Sequence, residues 1–256
     1  MLIDNLWFYV AAVPAVMLTG ISKGGFGGAG GVAVPIMALI ISPVQAAAIM
    51  LPILCLMDIA GLVAYRKYWH RRNTVIMIVA GLIGIGIGWI TFDYLTDDIV
   101  RLIVGVIALA FTLYRWIVAP LLGRQDMPAT EPDNLRGGFW SIVAGFTSFV
   151  AHAGSPPAQI YLLPQKMDKT LYQGTMVIVF MVFNYVKLLP YALLGQLSTA
   201  NMTTALVLLP LAPLGVWVGV WLHKRVPEAI FYRIAYLLLF GTGVKLVWDG
   251  LGLSFG

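Results

Sequence analysis

Residues 20–31 read GISKGGFGGAGG, a run of glycines between two strongly apolar stretches. Within a bilayer a helix satisfies its own backbone hydrogen bonds, whereas a glycine-rich break leaves N–H and C=O groups that hydrocarbon cannot satisfy. Such a break persists only where it is buried in protein or lines a polar cavity. The run therefore predicts an interrupted membrane helix, and it marks the first place to look for a functional site.

The composition indicates that the whole chain is an integral membrane protein. Of its 256 residues, 60% are hydrophobic and 11% are charged, whereas soluble domains carry roughly a quarter charged residues. The apolar runs are continuous and do not alternate with period two, which predicts helices rather than a β-barrel. No soluble domain is predicted that could carry a nucleic-acid-binding face, so we expect no nucleic-acid partner.

Eight apolar regions are predicted to enter the membrane. Two of them, 6–41 and 137–165, are interrupted by small residues, and the second is too short for two full crossings, which need about 40 residues. We therefore expect a broken or re-entrant helical hairpin there. The six predicted full spans lie at about 46–64, 74–92, 99–118, 171–192, 201–222 and 229–248.

Loop charges predict the orientation of the spans. Arginine and lysine are concentrated in 65–72, 119–136 and 223–225, which predicts that these loops are cytoplasmic. The acidic loop 93–98 and the uncharged loop 196–201 are then external. Both ends of 137–165 face the cytoplasm, and both chain termini are predicted to be periplasmic or external.

The two halves of the chain resemble one another. Asp58 and Tyr65 are spaced as Asn184 and Tyr191 are, and corresponding loops carry opposite charge. The tyrosines themselves are typical of interfacial anchors. The pattern predicts an all-α polytopic membrane protein built from two inverted five-segment repeats, each a broken or re-entrant hairpin followed by three transmembrane helices. The predicted units are a first repeat at 1–118, a cytoplasmic connecting loop at 119–136 and a second repeat at 137–256.

The first break offers a ligand both side chains and backbone amides. A half-helix that begins after the break would direct free N–H groups and the positive end of its dipole toward an anion. The alternatives are close helix packing by small residues and a lysine that reaches the membrane surface. The predicted substrate-binding residues here are Ser22, Lys23, Gly24, Gly25, Phe26, Gly27 and Gly28.

The second break carries polar side chains where the first carries glycines. Ser155 followed by Pro156 is typical of a helix N-cap with proline at the first helical position. His152 at membrane depth is either a ligand contact, a proton carrier or a hydrogen-bonded packing residue. The predicted substrate-binding residues here are Ser148, His152, Gly154, Ser155 and Gln159.

Polar residues within two full spans complete the predicted site. A carboxylate at the centre of a membrane helix is costly, so Asp58 is expected to face the protein interior with a partner. Asp58 and His152 are our candidates for proton coupling. Asn184 and Lys187 are predicted to face the same cavity, although Lys187 is also close enough to the external end to reach the surface.

These motifs resemble a known family. The stretch GGFGG at 24–28, followed by Val34 and Pro35 and by a span that ends at Tyr65, resembles the first repeat of the sulfite exporter TauE/SafE family. The region from Gly145 to Tyr191 is similar to the second repeat, with AHAGSPP at 151–157 in place of a glycine-rich run. The resemblance implies a multi-pass permease of the bacterial inner membrane for sulfite, organosulfonates or other small anions.

The predicted function is secondary transport, as an exporter of a small sulfur-containing anion such as sulfite or sulfoacetate, by proton-coupled alternating access. The expected partners are the anion and the bilayer, and a homo-oligomer is left open. The alternatives are a small-anion channel, an uptake permease for another small anion, an intramembrane enzyme and a non-transporting subunit. We find no nucleophile–base pair and no metal-ligand motif, so we expect no catalysis, cofactor or metal.

Overall fold

The computed structural model describes residues 3–26, 30–121, 129–223, 225 and 228–252, and the regular elements within these ranges are all helical. A π-helical turn, Ser22–Phe26, continues the first helix, and another, Tyr114–Val118, continues the fifth. In chain order the helices are α1 (Leu6–Ile21), α2 (Ala33–Met37), α3 (Pro43–Tyr65), α4 (Arg71–Ile90), α5 (Asp97–Leu113), α6 (Ala119–Leu121), α7 (Asn134–Ala151), α8 (Ser155–Leu162), α9 (Lys169–Leu193), α10 (Thr199–Leu208), α11 (Leu211–His223) and α12 (Glu228–Gly250).

Polar caps set where the long helices begin. Ser42 Oγ accepts a hydrogen bond from the Gln45 amide at 3.1 Å, and an Asp133 carboxylate oxygen accepts one from the Arg136 amide at 2.6 Å. Such caps satisfy amides that the first helical turn leaves without a partner. They also explain why α3, α4 and α9 begin a few residues before the predicted spans. Those spans were placed by hydropathy, which does not count the polar residues of a first helical turn.

Within the described residues, four helical stretches are long and apolar enough to cross a membrane: Leu6–Gly25, α3, α4 and α9. The predicted single span at 201–222 is instead two helices, α10 and α11, bent by 40° about Leu209 and Pro210. Proline has no N–H and clashes with the preceding turn, which explains the bend. The chain is a multi-pass membrane protein.

The two interrupted regions form unequal pairs of helices. In the second region the 18-residue α7 is followed by the eight-residue α8, and in the first region α1 with its π turn is followed by the five-residue α2. The described part of neither region contains two half-helices of equal length. Each break therefore follows the C-terminal end of a long helix, α1 with its π turn in the first region and α7 in the second.

Glycines let two helix pairs approach closely. A β-carbon at Gly20 of α1 would lie 2.8 Å from the Gly215 α-carbon of α11, and one at Gly145 of α7 would lie 2.0 Å from the Gly81 oxygen of α4. Small residues at such crossings are how membrane helices gain packing energy. Between these pairs lies α3, which contacts α9, α10 and α11 as well as the first break.

Candidate functional site

A cavity of about 40 Å³ lies where both breaks meet facing sides of α3 and α9. The described residues that line it come from all four elements, so no single helix forms the site. They are Ser22, Lys23, Leu54, Asp58, Ser148, His152, Ser155, Gln173, Met176, Val177, Phe180 and Asn184.

One side of the cavity holds an ion pair. The Lys23 ammonium contacts the Asp58 Oδ1, and Asn184 donates an amide hydrogen to Asp58 Oδ2 at 2.6 Å. The Asp58 side chain is 1% exposed and that of Lys23 is 16% exposed. Gln173 donates to the Lys23 carbonyl at 2.5 Å, which ties the π turn to α9. Asp58 thus faces the interior with partners, as the sequence predicts.

A second lysine stands behind the opposite wall. Lys187 is completely buried, and its Nζ lies 2.8 Å from the Ser148 carbonyl oxygen, 3.0 Å from Ser148 Oγ and 2.8 Å from His152 Nδ1. A lysine ammonium has three hydrogens to donate, and these three acceptors match them. Lys187 therefore does not extend to the membrane surface, and it supports the second break from within.

The partners of His152 determine its tautomer. His152 ends α7 in a left-handed conformation with φ of 52°, and its Nε2 lies 2.8 Å from the Ala47 carbonyl oxygen. A carbonyl oxygen only accepts, so Nε2 carries a hydrogen, and Nδ1 then accepts from the Lys187 ammonium. In this arrangement His152 is neutral, and its ring stacks on Tyr191 with centroids 6.1 Å apart.

Ser148 is placed to donate a hydrogen bond into the cavity. Its Oγ accepts from Lys187 and its side chain lines the cavity wall. A hydroxyl that accepts from an ammonium keeps its own hydrogen available for another acceptor. The site therefore combines an ammonium, a polarised hydroxyl and a buried carboxylate in one small enclosure.

In each half of the chain, a buried tyrosine hydroxyl donates a hydrogen bond to a backbone carbonyl close to the break. Tyr65 donates to the Gly24 carbonyl at 2.6 Å, and Tyr191 donates to the Phe149 carbonyl at 2.6 Å. The two tyrosines are 5% and 2% exposed, so their interpretation as interfacial anchors is wrong. A helix interruption leaves carbonyls without intrahelical donors, and these hydroxyls satisfy two of them.

The comparison with protein families matches residues 12–246 to the sulfite exporter TauE/SafE family. The chain belongs to the TauE/SafE family. The resemblance seen in the sequence is thereby confirmed, and the family places this protein among membrane transporters of sulfite or related anions. Comparisons with curated proteins and with solved structures give no match.

The glycines of the first break in this TauE/SafE chain serve packing where the structure describes them. A β-carbon at Gly24 would lie 2.2 Å from the Val216 oxygen, and one at Gly25 would lie 2.6 Å from the Gly219 oxygen, both on α11. The helix-packing alternative therefore accounts for Gly24 and Gly25, and their ligand contacts stay a prediction. Phe26 ends the π turn, and Gly27 and Gly28 lie outside the described residues.

In the second break the structure corrects the predicted helix start. Gly154, not Ser155, is the N-cap of α8; Ser155 is the first helical residue, and its side chain lines the cavity. The two prolines that follow need no amide partners in the first turn, which makes a side-chain cap unnecessary. Gly154 and Gln159 are buried beside the cavity but are not among its lining residues.

Several lining residues were missed by the sequence analysis. Gln173, Met176, Val177 and Phe180 precede Asn184 on α9 with intervals of three and four residues, so all five share one helix face. This spacing, with the polar residues Gln173 and Asn184 at the two ends of the row, could have indicated the cavity-facing side of α9 from the sequence. On α3 the same four-residue interval relates Leu54 to Asp58.

Proposed function

We propose that this TauE/SafE protein exports a small sulfur oxyanion, with sulfite as the preferred substrate, and that the anion binds in the cavity between the two breaks. The observation that carries the proposal is the charge of the enclosure. Among the described residues, the cavity wall and its support hold two lysines, Lys23 and Lys187, against one carboxylate, Asp58. Buried charge is costly unless it is paired, and an anion would supply the missing partner.

The size of the cavity supports a small oxyanion. A water molecule needs about 10–15 Å³ of cavity volume, so the cavity of about 40 Å³ holds about three waters. The sulfur and three oxygens of sulfite are of similar extent. A longer organosulfonate such as sulfoacetate needs more room than this, and we therefore rank it second.

The donors that line the cavity lead to the proposed binding pose. We expect one sulfite oxygen to accept from Lys23 and another from the Ser148 hydroxyl, while Lys187 holds Ser148 in place. Ser155 and His152 border the same space, with His152 kept neutral by its two partners. Proton coupling belongs to the proposal, with Asp58 and His152 as the candidate carriers.

The proposed mechanism is alternating access between two inverted repeats. The paired contacts of the two halves support it, because Tyr65 and Tyr191 bond to carbonyls of their own breaks, and Asp58 bonds to its counterpart Asn184. Rocking of one repeat against the other would expose the cavity to each side in turn. The proposal takes its units from the sequence, with repeats at 1–118 and 137–256 and a connecting loop at 119–136.

The proposed setting is the bacterial inner membrane, with the basic loops cytoplasmic and both termini periplasmic. Single cysteines placed in 93–98 and in 196–201, with the buried Cys55 replaced by alanine, would be labelled by impermeant reagents. Both loops are expected to label from outside. Labelling of the two loops from different sides would contradict the inverted topology.

Transport by the purified protein in vesicles tests the substrate and the site. We expect sulfite efflux and binding by wild type, and binding weaker by at least about tenfold in Ser148→Ala, because a hydrogen bond to a charged group contributes about 1.5–3 kcal/mol. Ser155→Ala and His152→Ala extend the test to the rest of the second break.

A matched control is Thr203→Ala, which removes a hydroxyl that bonds within α10 and does not line the cavity. It should bind sulfite as wild type does. If all three cavity variants also bind like wild type, the placement of the site is wrong. Unitary currents through the reconstituted protein would identify a channel instead of a transporter.

A further inference from the structure

Asp58 occupies the position that an incoming anion would need. Its carboxylate lines the same cavity as Lys23 and already contacts the Lys23 ammonium. The second lysine is not an alternative partner, because the three hydrogens of Lys187 are directed to Ser148 and His152. An anion that enters the cavity therefore meets an ammonium already paired with a carboxylate of the protein.

We propose that the Asp58 carboxylate is an internal anion that competes with the substrate for Lys23, so that each substrate anion binds together with one proton. The inference rests on the proposed function and assigns its coupling group. Because anion and proton cross together, the protein exports sulfite when the ratio of internal to external sulfite exceeds the ratio of external to internal protons. The step forms one O–H bond on Asp58, breaks the ion pair between Lys23 and Asp58, and forms a new ion pair between Lys23 and the anion. The proton comes from a hydronium ion of the bulk solvent at the open side of the cavity, and a water molecule is left behind.

The two carboxylate oxygens of Asp58 have different partners, which tells them apart. Oδ2 accepts from the Asn184 amide at 2.6 Å, and a carbonyl oxygen of a neutral carboxyl group can still accept that bond. Oδ1 contacts Lys23, and it is the oxygen that loses its partner when the substrate arrives. The proton therefore binds at Oδ1, while Asn184 holds the group in place in both charge states.

The surrounding groups leave Lys23 as the exchange partner. From α9, Asp58 faces Asn184, Lys187 and Tyr185, whose hydroxyl donates to the Cys55 carbonyl at 3.4 Å. Cys55 lies on the same helix as Asp58, and the neutral His152 faces it across the cavity. Of these groups, only Lys23 carries a positive charge in direct contact with Asp58.

Repulsion between the substrate anion and the Asp58 carboxylate favours binding of the anion with a proton. With Lys23 and Lys187 charged and Asp58 ionised, the site carries one net positive charge. A monoanion that entered alone would lie beside the Asp58 carboxylate in a low-dielectric enclosure, where like charges repel strongly. When a proton enters with the anion, Asp58 becomes neutral and this repulsion is removed.

The test compares sulfite transport by vesicles that contain wild type or Asp58→Asn, and proton uptake when the purified proteins bind sulfite. The amide of the variant is neutral and close in shape to a protonated carboxyl group. In wild type, a difference of one pH unit should sustain about a tenfold sulfite ratio across the membrane, since one proton per anion transfers about 1.4 kcal/mol. The variant should show no gradient-driven accumulation, and its binding of sulfite should take up no proton from the medium.

Asp98→Asn is the matched control, because Asp98 is an exposed partner of Arg101 outside the cavity, and it should retain both activities. Gradient-driven accumulation by Asp58→Asn would overturn the inference while the proposed function stands. If wild type neither exchanges nor accumulates sulfite, the proposed function itself fails.

Infrared difference spectra of the wild-type protein give a readout that does not depend on how the variant folds. Addition of sulfite should produce the C=O stretch of a newly protonated carboxyl group, and Asp98→Asn should give the same band. Sulfite binding without this band would overturn the inference.

Discussion

Replacement of Gly145 by alanine tests whether the close approach of α7 to α4 positions the second break. The added β-carbon would lie 2.0 Å from the Gly81 oxygen and 2.8 Å from its carbonyl carbon, whereas ordinary contact begins at 3.4 Å. The helices would have to separate by about 1.4 Å, and neither contacting group is a flexible side chain. Overpacking costs about 1–3 kcal/mol, and we expect a value near 3 kcal/mol.

The same helix supplies the control. A β-carbon added at Gly138 would have no neighbouring atom within 4 Å, so an alanine there meets open space. Alanine is a better helix former than glycine, and Gly138→Ala should stabilise α7 by about 0.5–1 kcal/mol. The two substitutions are chemically identical, and their predicted effects on stability have opposite signs.

Thermal unfolding of both variants in detergent, followed by sulfite binding at a permissive temperature, completes the experiment. We expect Gly145→Ala to lower the midpoint by about 5–10 °C. It should also weaken sulfite binding, because Ser148 lies one turn further along the displaced helix. Equal midpoints and equal sulfite affinity in the two variants would refute the argument that this contact sets the site.

Three further predictions concern single groups. Tyr65→Phe and Tyr191→Phe should each lower the free energy of unfolding by about 1–3 kcal/mol, because each leaves a buried carbonyl without its donor; an unchanged melting midpoint would mean that another donor replaces the hydroxyl. Lys187→Met should change stability little, since lost hydrogen bonds are offset by removal of a buried charge, yet weaken sulfite binding at least about tenfold; unchanged affinity would contradict this role. Backbone amides at the start of α9 hold the pKa of Asp168 below its usual value, so its stabilisation is complete above the ordinary aspartate pKa and is lost as the pH falls through the lowered one. Asp168→Asn should keep the cap and lose this acid dependence of the melting midpoint, and a variant that retains it would disprove the assignment.

Much of the helix layout could be predicted from the sequence. The predicted spans at 46–64, 74–92 and 171–192 match α3, α4 and α9 within a few residues, because bilayer thickness sets the length of an apolar run. The division of 201–222 into α10 and α11 was missed, although Pro210 was visible. Hydropathy averages over a window and does not register the loss of one hydrogen bond.

The site was predicted in part. Polar residues in apolar spans are expensive unless partnered, and that rule identified Asp58 without any structure. The internal repeat identified Asn184 as its counterpart. Lys187 was expected to face the cavity, whereas it lies behind the wall and contacts Ser148 and His152.

The sequence could not show which glycines of the first break contact a ligand. A glycine that packs against a helix and a glycine that approaches a ligand look the same in a sequence. The first kind is what the structure has at Gly24 and Gly25.

By itself the sequence determined that this chain resides in a membrane, that two of its helices are interrupted, and which side chains are too costly to leave unpaired there. These follow from local composition, because the free energy of transfer into a bilayer is set residue by residue. Only the tertiary structure decided that Lys23 pairs with Asp58, that Asn184 completes that pair and that Lys187 supports Ser148 and His152. The partners lie tens to more than a hundred residues apart along the chain, so helix packing, which no local pattern encodes, brings them within hydrogen-bonding distance.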